Sequence, residues 1–207
     1  MQDIEAIIFD FGGVIFNIDF HKLNTAFKNL GIHNFEKMYS QKNADPLFSD
    51  LEKGKISEAE FYTAFKKCFN SNLSDIQIKN AWNTILIDYR MEALNTLKFL
   101  KKKYKLYLLS NTNIIHHTAF HKIYQDKIGK DNFDDLFDKV YYSHQIGCRK
   151  PDKEIYEFVI NDISLNPSNS LFIDDSIQNI TAAAASGFKT ILLHHGEKIE
   201  DHLGDLI

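Results

Sequence analysis

The sequence predicts an α/β protein with a doubly wound parallel sheet and an all-helical segment inserted after the first strand. Five short apolar runs have the composition of strands that are buried on both faces of a sheet: residues 6–9, 106–109, 140–142, 171–173 and 190–193. Amphipathic stretches with helical periodicity separate the later runs. Strands and helices that alternate in this order favour right-handed crossovers and therefore a parallel sheet.

The helices between the later strands are predicted from apolar side chains that recur on one helical face. Two such stripes are clear, formed by Leu94, Leu97 and Leu100 and by Ile155, Val159 and Ile163. An alanine-rich stretch at 182–186 precedes the last strand, and Gly187 is expected to end that helix. Pro151 is expected in the first turn of the helix that contains Ile155.

Residues 19–88 contain no strand-like run and carry several helical stripes. One is formed by Phe20, Leu23, Phe27 and Leu30, and another by Phe61, Phe65 and Phe69, after the capping sequence that begins at Ser57. Open α/β sheets bind ligands at the carboxyl ends of their strands. We therefore expect two domains, a core at 1–18 and 89–207 and a helical cap at 19–88 that covers this edge.

Composition and charge narrow the class of protein. The chain has 207 residues, 44% of them hydrophobic and 25% charged, and its formal net charge is −4. These values are typical of a globular protein and do not favour nucleic acid or an anionic membrane as a partner. The acidic start is unlike a secretory signal, and no apolar run approaches the ~20 residues of a membrane span. Two cysteines, Cys68 and Cys148, are too few for a disulfide framework, which favours the cytoplasm.

Polar residues follow or closely trail four of the predicted strands, where the ends of parallel strands converge. In chain order these are Asp10, then Ser110 with Asn111, then Lys150, then Asp174 with Asp175. Each group also has a structural explanation when taken alone. A single aspartate can belong to a turn, a serine can cap a helix, a lysine can be exposed, and paired acids favour a helix N-terminus.

Together the four groups indicate phosphate chemistry. Ser110 and a backbone N–H group can hold a phosphate oxygen, Asn111 can orient a substrate, and Lys150 can neutralise phosphate charge. Asp174 and Asp175 are adjacent carboxylates after an apolar strand, so their burial is costly unless a cation compensates for their charge. Ligand sets made only of oxygen atoms suit Mg²⁺.

The order of these groups resembles the four motifs of the haloacid dehalogenase superfamily, and the resemblance extends over essentially the whole chain. The motifs read Asp-Phe-Gly-Gly-Val from Asp10, Leu-Ser-Asn-Thr-Asn around Ser110, Arg-Lys-Pro around Lys150, and Phe-Ile-Asp-Asp before Asn179. The position of the helical insert is similar to the cap of the C1 subgroup. Within that subgroup, the motifs look similar to those of bacterial sugar phosphatases that act on α-glucose 1-phosphate.

The resemblance implies a role for each matching residue. Asp10 would attack phosphorus and form an aspartyl-phosphate, and Ser110 and Lys150 would position the phosphoryl group. Substrate contacts are implied for Gly12, Gly13, Ser110, Asn111 and Lys150. Mg²⁺ would bridge Asp10, the carbonyl of Gly12, Asp175 and a phosphate oxygen. Asp174 would act through water or through other side chains, and Asn179 would steady Lys150 or the acid pair.

Gly12 departs from the family pattern. Most phosphatases of the family carry an aspartate at this position, two residues after the nucleophile, which serves as general acid and then as general base. Such help contributes about 10²–10⁴-fold to the rate. An anomeric phosphate has a better leaving group than an alkyl phosphate and would soften the loss, which favours a hexose 1-phosphate as substrate.

Three alternatives follow from the same residues. The first is a weak or inactive binding protein of the same fold, because Gly12 lacks the acid/base group. The second is a phosphoacceptor signalling domain, although there the acid pair comes first in sequence. The third is a metal-free dehalogenase, which would not need Asp174 and Asp175 as a pair. The phosphatase interpretation predicts a small phosphate ester and Mg²⁺ as partners, and the sequence carries no signal for an oligomeric state.

Overall fold

The computed structural model describes residues 3–40, 43–129, 132–204 and 206. Its strands, in chain order, are β1 Ala6–Phe9, β2 Phe16–Ile18, β3 Tyr39–Ser40, β4 Asn43–Ala44, β5 Leu86–Tyr89, β6 Lys105–Ser110, β7 Lys139–Tyr142, β8 Ser170–Asp174 and β9 Lys189–Leu192. Its α-helices are α1 Phe20–Asn29, α2 Pro46–Glu52, α3 Glu58–Cys68, α4 Asp75–Asn83, α5 Met91–Leu100, α6 Ile114–Lys127, α7 Ser143–Ile146, α8 Lys153–Asp162 and α9 Ile177–Ala185. No helix among the described residues is long and apolar enough to cross a lipid bilayer.

Five parallel strands form the central sheet in the order β7-β6-β1-β8-β9, which confirms the predicted doubly wound sheet. The first strand lies in the middle and pairs with both β6 and β8. Its alternate side chains enter different clusters, because Ile7 and Phe9 pack on one face of the sheet and Ile8 packs on the other. The residue that follows this strand, Asp10, therefore lies at the centre of the carboxyl edge.

Burial on both faces was predicted for the apolar runs of all five strands, and this was wrong for the edge strand β9. Every residue of β1 and β8 is buried, and on the other edge strand, β7, Tyr141 and Tyr142 are buried on opposite faces, whereas no residue of β9 is fully buried. An edge strand has a neighbour on one side only, so solvent reaches part of its length.

The predicted helix faces and one of the two predicted helix ends are confirmed. Leu94, Leu97 and Leu100 are buried on α5, and Gly187 follows α9 with a φ of +94°, the left-handed conformation that glycine tolerates at a helix end. Pro151 is the exception. The helix α8 begins at Lys153 with Asp152 as its N-cap, so Pro151 lies in the turn before the helix rather than in its first turn.

The insert is mainly helical but contains short strands that the sequence did not indicate. Antiparallel pairing joins β2 to β5 where the chain enters and leaves the insert, and β3 and β4 form a two-residue hairpin. Strands of two to four residues carry too few positions to show a period of two. The division into a core and a separate cap domain stays a prediction.

Aromatic rings fill the interior of the insert. The capping box of α3, with Ser57 and Glu60 bonded reciprocally, is formed as predicted. Buried rings of the insert pack around Trp82, and the indole in turn stacks on His116 of α6, with ring centroids 4.7 Å apart. The insert and the sheet region are therefore joined by a packed contact.

His116 is held in this contact as a neutral imidazole. Its Nε2 lies 3.1 Å from the Trp82 carbonyl, which can only accept, so Nε2 carries the proton. The side-chain oxygen of Asn113 accepts from the backbone, and its amide nitrogen lies 3.1 Å from Nδ1 of His116. Burial lowers the pKa of His116 to about 4 from its ordinary 6.5, although the hydrogen bond to Trp82 opposes this shift.

We expect this histidine to make the fold sensitive to acid. This histidine binds a proton near pH 6.5 in the unfolded chain and only near pH 4 in the folded chain. The free energy of unfolding is therefore highest above pH 6.5 and falls as the pH decreases toward 4. The pKa difference corresponds to about 3 kcal/mol. The free energy of unfolding measured with urea should fall between pH 7.5 and 4.5, and His116→Gln should make this fall smaller. An unchanged pH dependence in His116→Gln would contradict the assignment.

Candidate active site

A cavity of about 170 Å³ opens at the carboxyl edge of the sheet, next to the end of β1. The backbone N–H of Asp10 donates to the carbonyl of Ile173 over 2.8 Å, which fixes the aspartate between β1 and β8. Most of the residues predicted for the site line this cavity: Asp10, Gly12, Ser110, Asn111, Lys150 and Asp175. Strands that are far apart in sequence thus bring these groups to one place.

Lys150 is the charged centre of the site. Its Nζ lies 2.7 Å from Oδ1 of Asp10 and 2.6 Å from Oδ2 of Asp174, and its side chain is 1% exposed. Burial opposes the ammonium charge, but Asp10 and Asp174 outweigh it and raise the pKa of Lys150 well above its usual range. The lysine is therefore cationic at neutral pH and offsets negative charge at Asp10.

Asn111 holds the backbone on which Lys150 is carried. Its amide nitrogen donates to the Lys150 carbonyl and its oxygen accepts from the Lys150 N–H, each over 2.8 Å. The role predicted for Asn111 was contact with the substrate, and its position in the cavity wall allows this contact. The two hydrogen bonds add a positioning role, because they fix the loop between α7 and α8 against the end of β6.

The two acids after β8 have different surroundings. Asp174 is fully buried, and both of its oxygens are occupied: Oδ1 accepts from Ser176 N–H and Asn179, and Oδ2 accepts from Lys150 and Asn179. Asp175 lines the cavity instead. Asn179 was predicted to contact either Lys150 or the acid pair, and the structure places it on Asp174 of the pair. Asp175 faces the space where a ligand would bind.

Asp10, Asp174 and Asp175 form a cluster that fits a divalent cation. One carboxylate oxygen from each lies within 4.8 Å of the others. Burial raises the pKa of Asp10 even though Lys150 lowers it, and burial together with Asp174 raises the pKa of Asp175 to about 6. Three carboxylates face one lysine here, so a bound divalent cation would relieve the excess negative charge, and a set of oxygen ligands suits Mg²⁺.

The two glycines after Asp10 differ in what they tolerate. Gly13 has a φ of +77°, and a Cβ there would lie 2.1 Å from Oδ2 of Asp175, so the close approach of the loop to the acid requires glycine. Gly12 has no such conformation. Its nearest neighbour would be the end of the Ile18 side chain, 3.2 Å from a Cβ, which a small movement accommodates. A side chain is therefore sterically acceptable at position 12.

Sequence reasoning missed three polar side chains in the cavity wall. Glu52 is 3% exposed, its Oε2 lies 2.8 Å from Nε of Arg149, and its Oε1 accepts from the Tyr39 hydroxyl over 2.9 Å. All three line the same cavity as Asp10. One signal was available, because Glu52 shares the apolar face of α2 with Phe48 and Leu51, where an acid is out of place unless it is paired.

Comparison with known proteins identifies the family. The family model of the haloacid dehalogenase-like hydrolases matches residues 4–187. The chain is 35% identical over 194 residues to a D-ribitol-5-phosphate phosphatase of Bacteroides thetaiotaomicron, covering 93% of each protein, and 29% identical to a sesquiterpene phosphatase of Aspergillus oryzae, covering 88% of this chain and 86% of that protein. The crystal structure of a mutant HAD family enzyme of B. thetaiotaomicron, in complex with magnesium and inorganic phosphate, superposes with a TM-score of 0.88 at 33% identity, over 97% of this chain and 98% of that one. With the family model matched over most of its length, the chain belongs to the haloacid dehalogenase-like hydrolases and is an enzyme of that family.

Proposed function

We propose that this hydrolase is a Mg²⁺-dependent phosphatase that removes the phosphoryl group from a small sugar or polyol phosphate through an aspartyl-phosphate on Asp10. The observation that carries the proposal is the placement of Lys150 between Asp10 and Asp174, with Asp175 lining the same cavity as Asp10 and Lys150. A relative named for D-ribitol-5-phosphate and a neighbour that binds magnesium and inorganic phosphate support the same chemistry.

The proposed reaction has two steps, in which the residues of the cavity have different roles. An oxygen of Asp10 attacks phosphorus, the bond from phosphorus to the ester oxygen breaks, and the leaving oxygen takes a proton. Water then attacks the aspartyl-phosphate, releasing inorganic phosphate and the Asp10 carboxylate. Lys150 and the hydroxyl of Ser110 hold the phosphoryl oxygens, and Lys150 is itself fixed by Asn111 and Asp174.

Asp10, Asp175 and the carbonyl of Gly12 would hold the Mg²⁺ ion. When it is bound, the ion offsets the repulsion between the attacking carboxylate and the phosphate. Asp174 is assigned an indirect role, because Lys150, Asn179 and Ser176 N–H already occupy both of its oxygens. Its carboxylate keeps the lysine aimed at Asp10.

The alternatives weaken once these contacts are considered. The similar relatives are named as phosphatases, which favours an enzyme over an inactive binding protein. A metal-free dehalogenase does not explain three clustered carboxylates. The two cysteines are unpaired, as a reducing compartment keeps them, and the proposal places the enzyme in the cytoplasm.

The protonation of the leaving group is the step that Gly12 makes unusual. His116 lines the cavity, but both of its ring nitrogens are engaged, and Glu52 is paired with Arg149. The leaving oxygen is therefore assigned a proton from water. With water as the proton source, the enzyme should prefer esters that have good leaving groups. Among sugar phosphates, this favours a hexose 1-phosphate, because its leaving group is the anomeric oxygen.

We expect turnover to depend steeply on the leaving group and Gly12→Asp to remove that dependence. With a series of aryl phosphates that differ only in phenol pKa, single-turnover dephosphorylation should fall steeply as the pKa rises. Gly12→Asp should accelerate the poorest leaving groups by about 10²-fold, since general acid catalysis contributes 10²–10⁴-fold. Gly12→Asn is the matched control, because it fills the same space without an acid. A flat series in the unmodified enzyme, with chemistry rate-limiting, would show that another residue donates the proton.

A further inference from the structure

Glu52, Tyr39 and Arg149 form a polar triad where the insert meets the loop that carries Lys150. Tyr39 lies on β3 and Glu52 ends α2, while Arg149 directly precedes Lys150 in the chain. The carboxylate holds both partners at once, Arg149 at 2.8 Å and the Tyr39 hydroxyl at 2.9 Å. The triad thus spans from the insert to the neighbour of the phosphate-binding lysine.

A buried acid in a ligand cavity must be compensated. Burial raises the pKa of Glu52, while Arg149 and the Tyr39 hydroxyl act in the opposite direction as its two partners. A carboxylate offers about four acceptor positions and a guanidinium five donors, so two contacts leave capacity on both groups. Both side chains line the cavity where a substrate would bind, and the side chain of Arg149 is 22% exposed.

We infer that this triad forms hydrogen bonds with hydroxyl groups of the substrate. It thereby selects a phosphate ester whose organic part is uncharged and carries several hydroxyl groups. The inference rests on the proposed phosphatase function and names its specificity-determining residues. Glu52 accepts from substrate hydroxyls and Arg149 donates to them. Sites built to bond a hydroxyl reject analogues that lack it by large factors, up to about 10⁴–10⁵-fold.

The same two side chains disfavour apolar esters. An apolar chain would contact Glu52 and Arg149 without offering them hydrogen bonds. The relative in Aspergillus oryzae is named for sesquiterpenes. The triad therefore makes a polyol phosphate, as in the name of the relative from Bacteroides thetaiotaomicron, a better fit for this chain than a sesquiterpene phosphate.

The two residues after Glu52 dock the end of α2 without lining the cavity. Lys53 pairs with Asp152 at 2.8 Å, and Gly54, with a φ of +62°, packs so closely on the chain at His144 that a Cβ would lie 2.1 Å from its carbonyl oxygen. These contacts dock the end of α2 on the segment from α7 to α8. Because Lys53 takes part in docking but does not line the cavity, a change at Lys53 tests docking without removing a group that could contact substrate hydroxyls. Lys53 therefore supplies a matched control.

The test compares kcat/KM for D-ribitol 5-phosphate and glucose 1-phosphate with kcat/KM for p-nitrophenyl phosphate, which has no aliphatic hydroxyl group. In Glu52→Gln the ratio of polyol to aryl activity should fall by about 10- to 100-fold for the better polyol substrate, mainly through KM, because a charge-assisted acceptor is lost. Tyr39→Phe should lower the ratio less. Lys53→Gln should leave the ratio unchanged, and thermal melts establish that each variant is folded.

Several outcomes would overturn the inference. An unchanged ratio in Glu52→Gln would do so, as would an equal fall in Lys53→Gln, which would assign the triad to docking alone. An unmodified enzyme that hydrolyses the aryl phosphate but neither polyol phosphate would also remove it while leaving the phosphatase function intact. Failure to hydrolyse even p-nitrophenyl phosphate with Mg²⁺ would instead reject the proposed function.

Discussion

Asp10→Asn is expected to abolish phosphate release while leaving the fold intact. The amide has nearly the same shape as the carboxylate but is a far poorer nucleophile, so no aspartyl-phosphate can form. Lys150 keeps its second partner, Asp174, at 2.6 Å, and this limits the structural effect of losing the first. Steady-state release of phosphate should fall by at least about 10³-fold, and the circular dichroism spectrum should be unchanged.

A surface aspartate provides the matched control for this variant. Asp126 is exposed and pairs with Lys122 on α6, far along the chain from the catalytic loop. Asp126→Asn makes the same chemical change and should retain full activity. Retention of more than a few per cent of the original turnover in Asp10→Asn would reject Asp10 as the nucleophile.

Removal of the divalent cation is expected to have an effect of similar size. Three clustered carboxylates and an incoming phosphate carry more negative charge than Lys150 alone can offset, so EDTA should stop turnover and added Mg²⁺ should restore it. In Asp175→Ala, activity at a fixed Mg²⁺ concentration should fall sharply, and part of it should return as the concentration of Mg²⁺ is raised.

Asp174→Ala separates ligation of the metal from positioning of the lysine. Asp174 holds Lys150 and Asn179, so its loss should reduce activity without changing the Mg²⁺ concentration needed for half-activation. A titration of turnover against Mg²⁺ for both variants distinguishes the two roles. Full activity in EDTA would remove the metal from the proposal, and a shifted Mg²⁺ requirement in Asp174→Ala would make Asp174 a ligand.

The fold was predictable where the periodicity of the sequence was strong. The apolar runs at 6–9 and 171–173 became buried central strands, because a strand whose sheet is covered on both faces must be apolar throughout. The exposure of β9 was not visible, since an edge position depends on strand order and not on local sequence. The hairpin of β3 and β4 was too short to leave a pattern.

The site was predictable to the extent that its residues directly follow strands. Asp10 and Asp175 come to the cavity because the ends of β1 and β8 are adjacent in the sheet. Glu52 and Tyr39 reach it only through the folding of the insert, and no spacing in the sequence relates them to Lys150 or to each other. Their positions depend on tertiary packing, which a motif search does not represent.

Trp82 is the one tryptophan of the chain, and its position has an optical consequence. The indole is fully buried and stacks between Phe48 of the insert and His116 of α6, at centroid distances of 5.3 and 4.7 Å. Indole emission depends on the polarity of its surroundings, and a protonated imidazole in contact with the ring quenches it. The tryptophan fluorescence of this protein therefore originates from the contact between the insert and the sheet region. Separation of the two and protonation of His116 both change that contact, so a label-free emission spectrum reports on it directly.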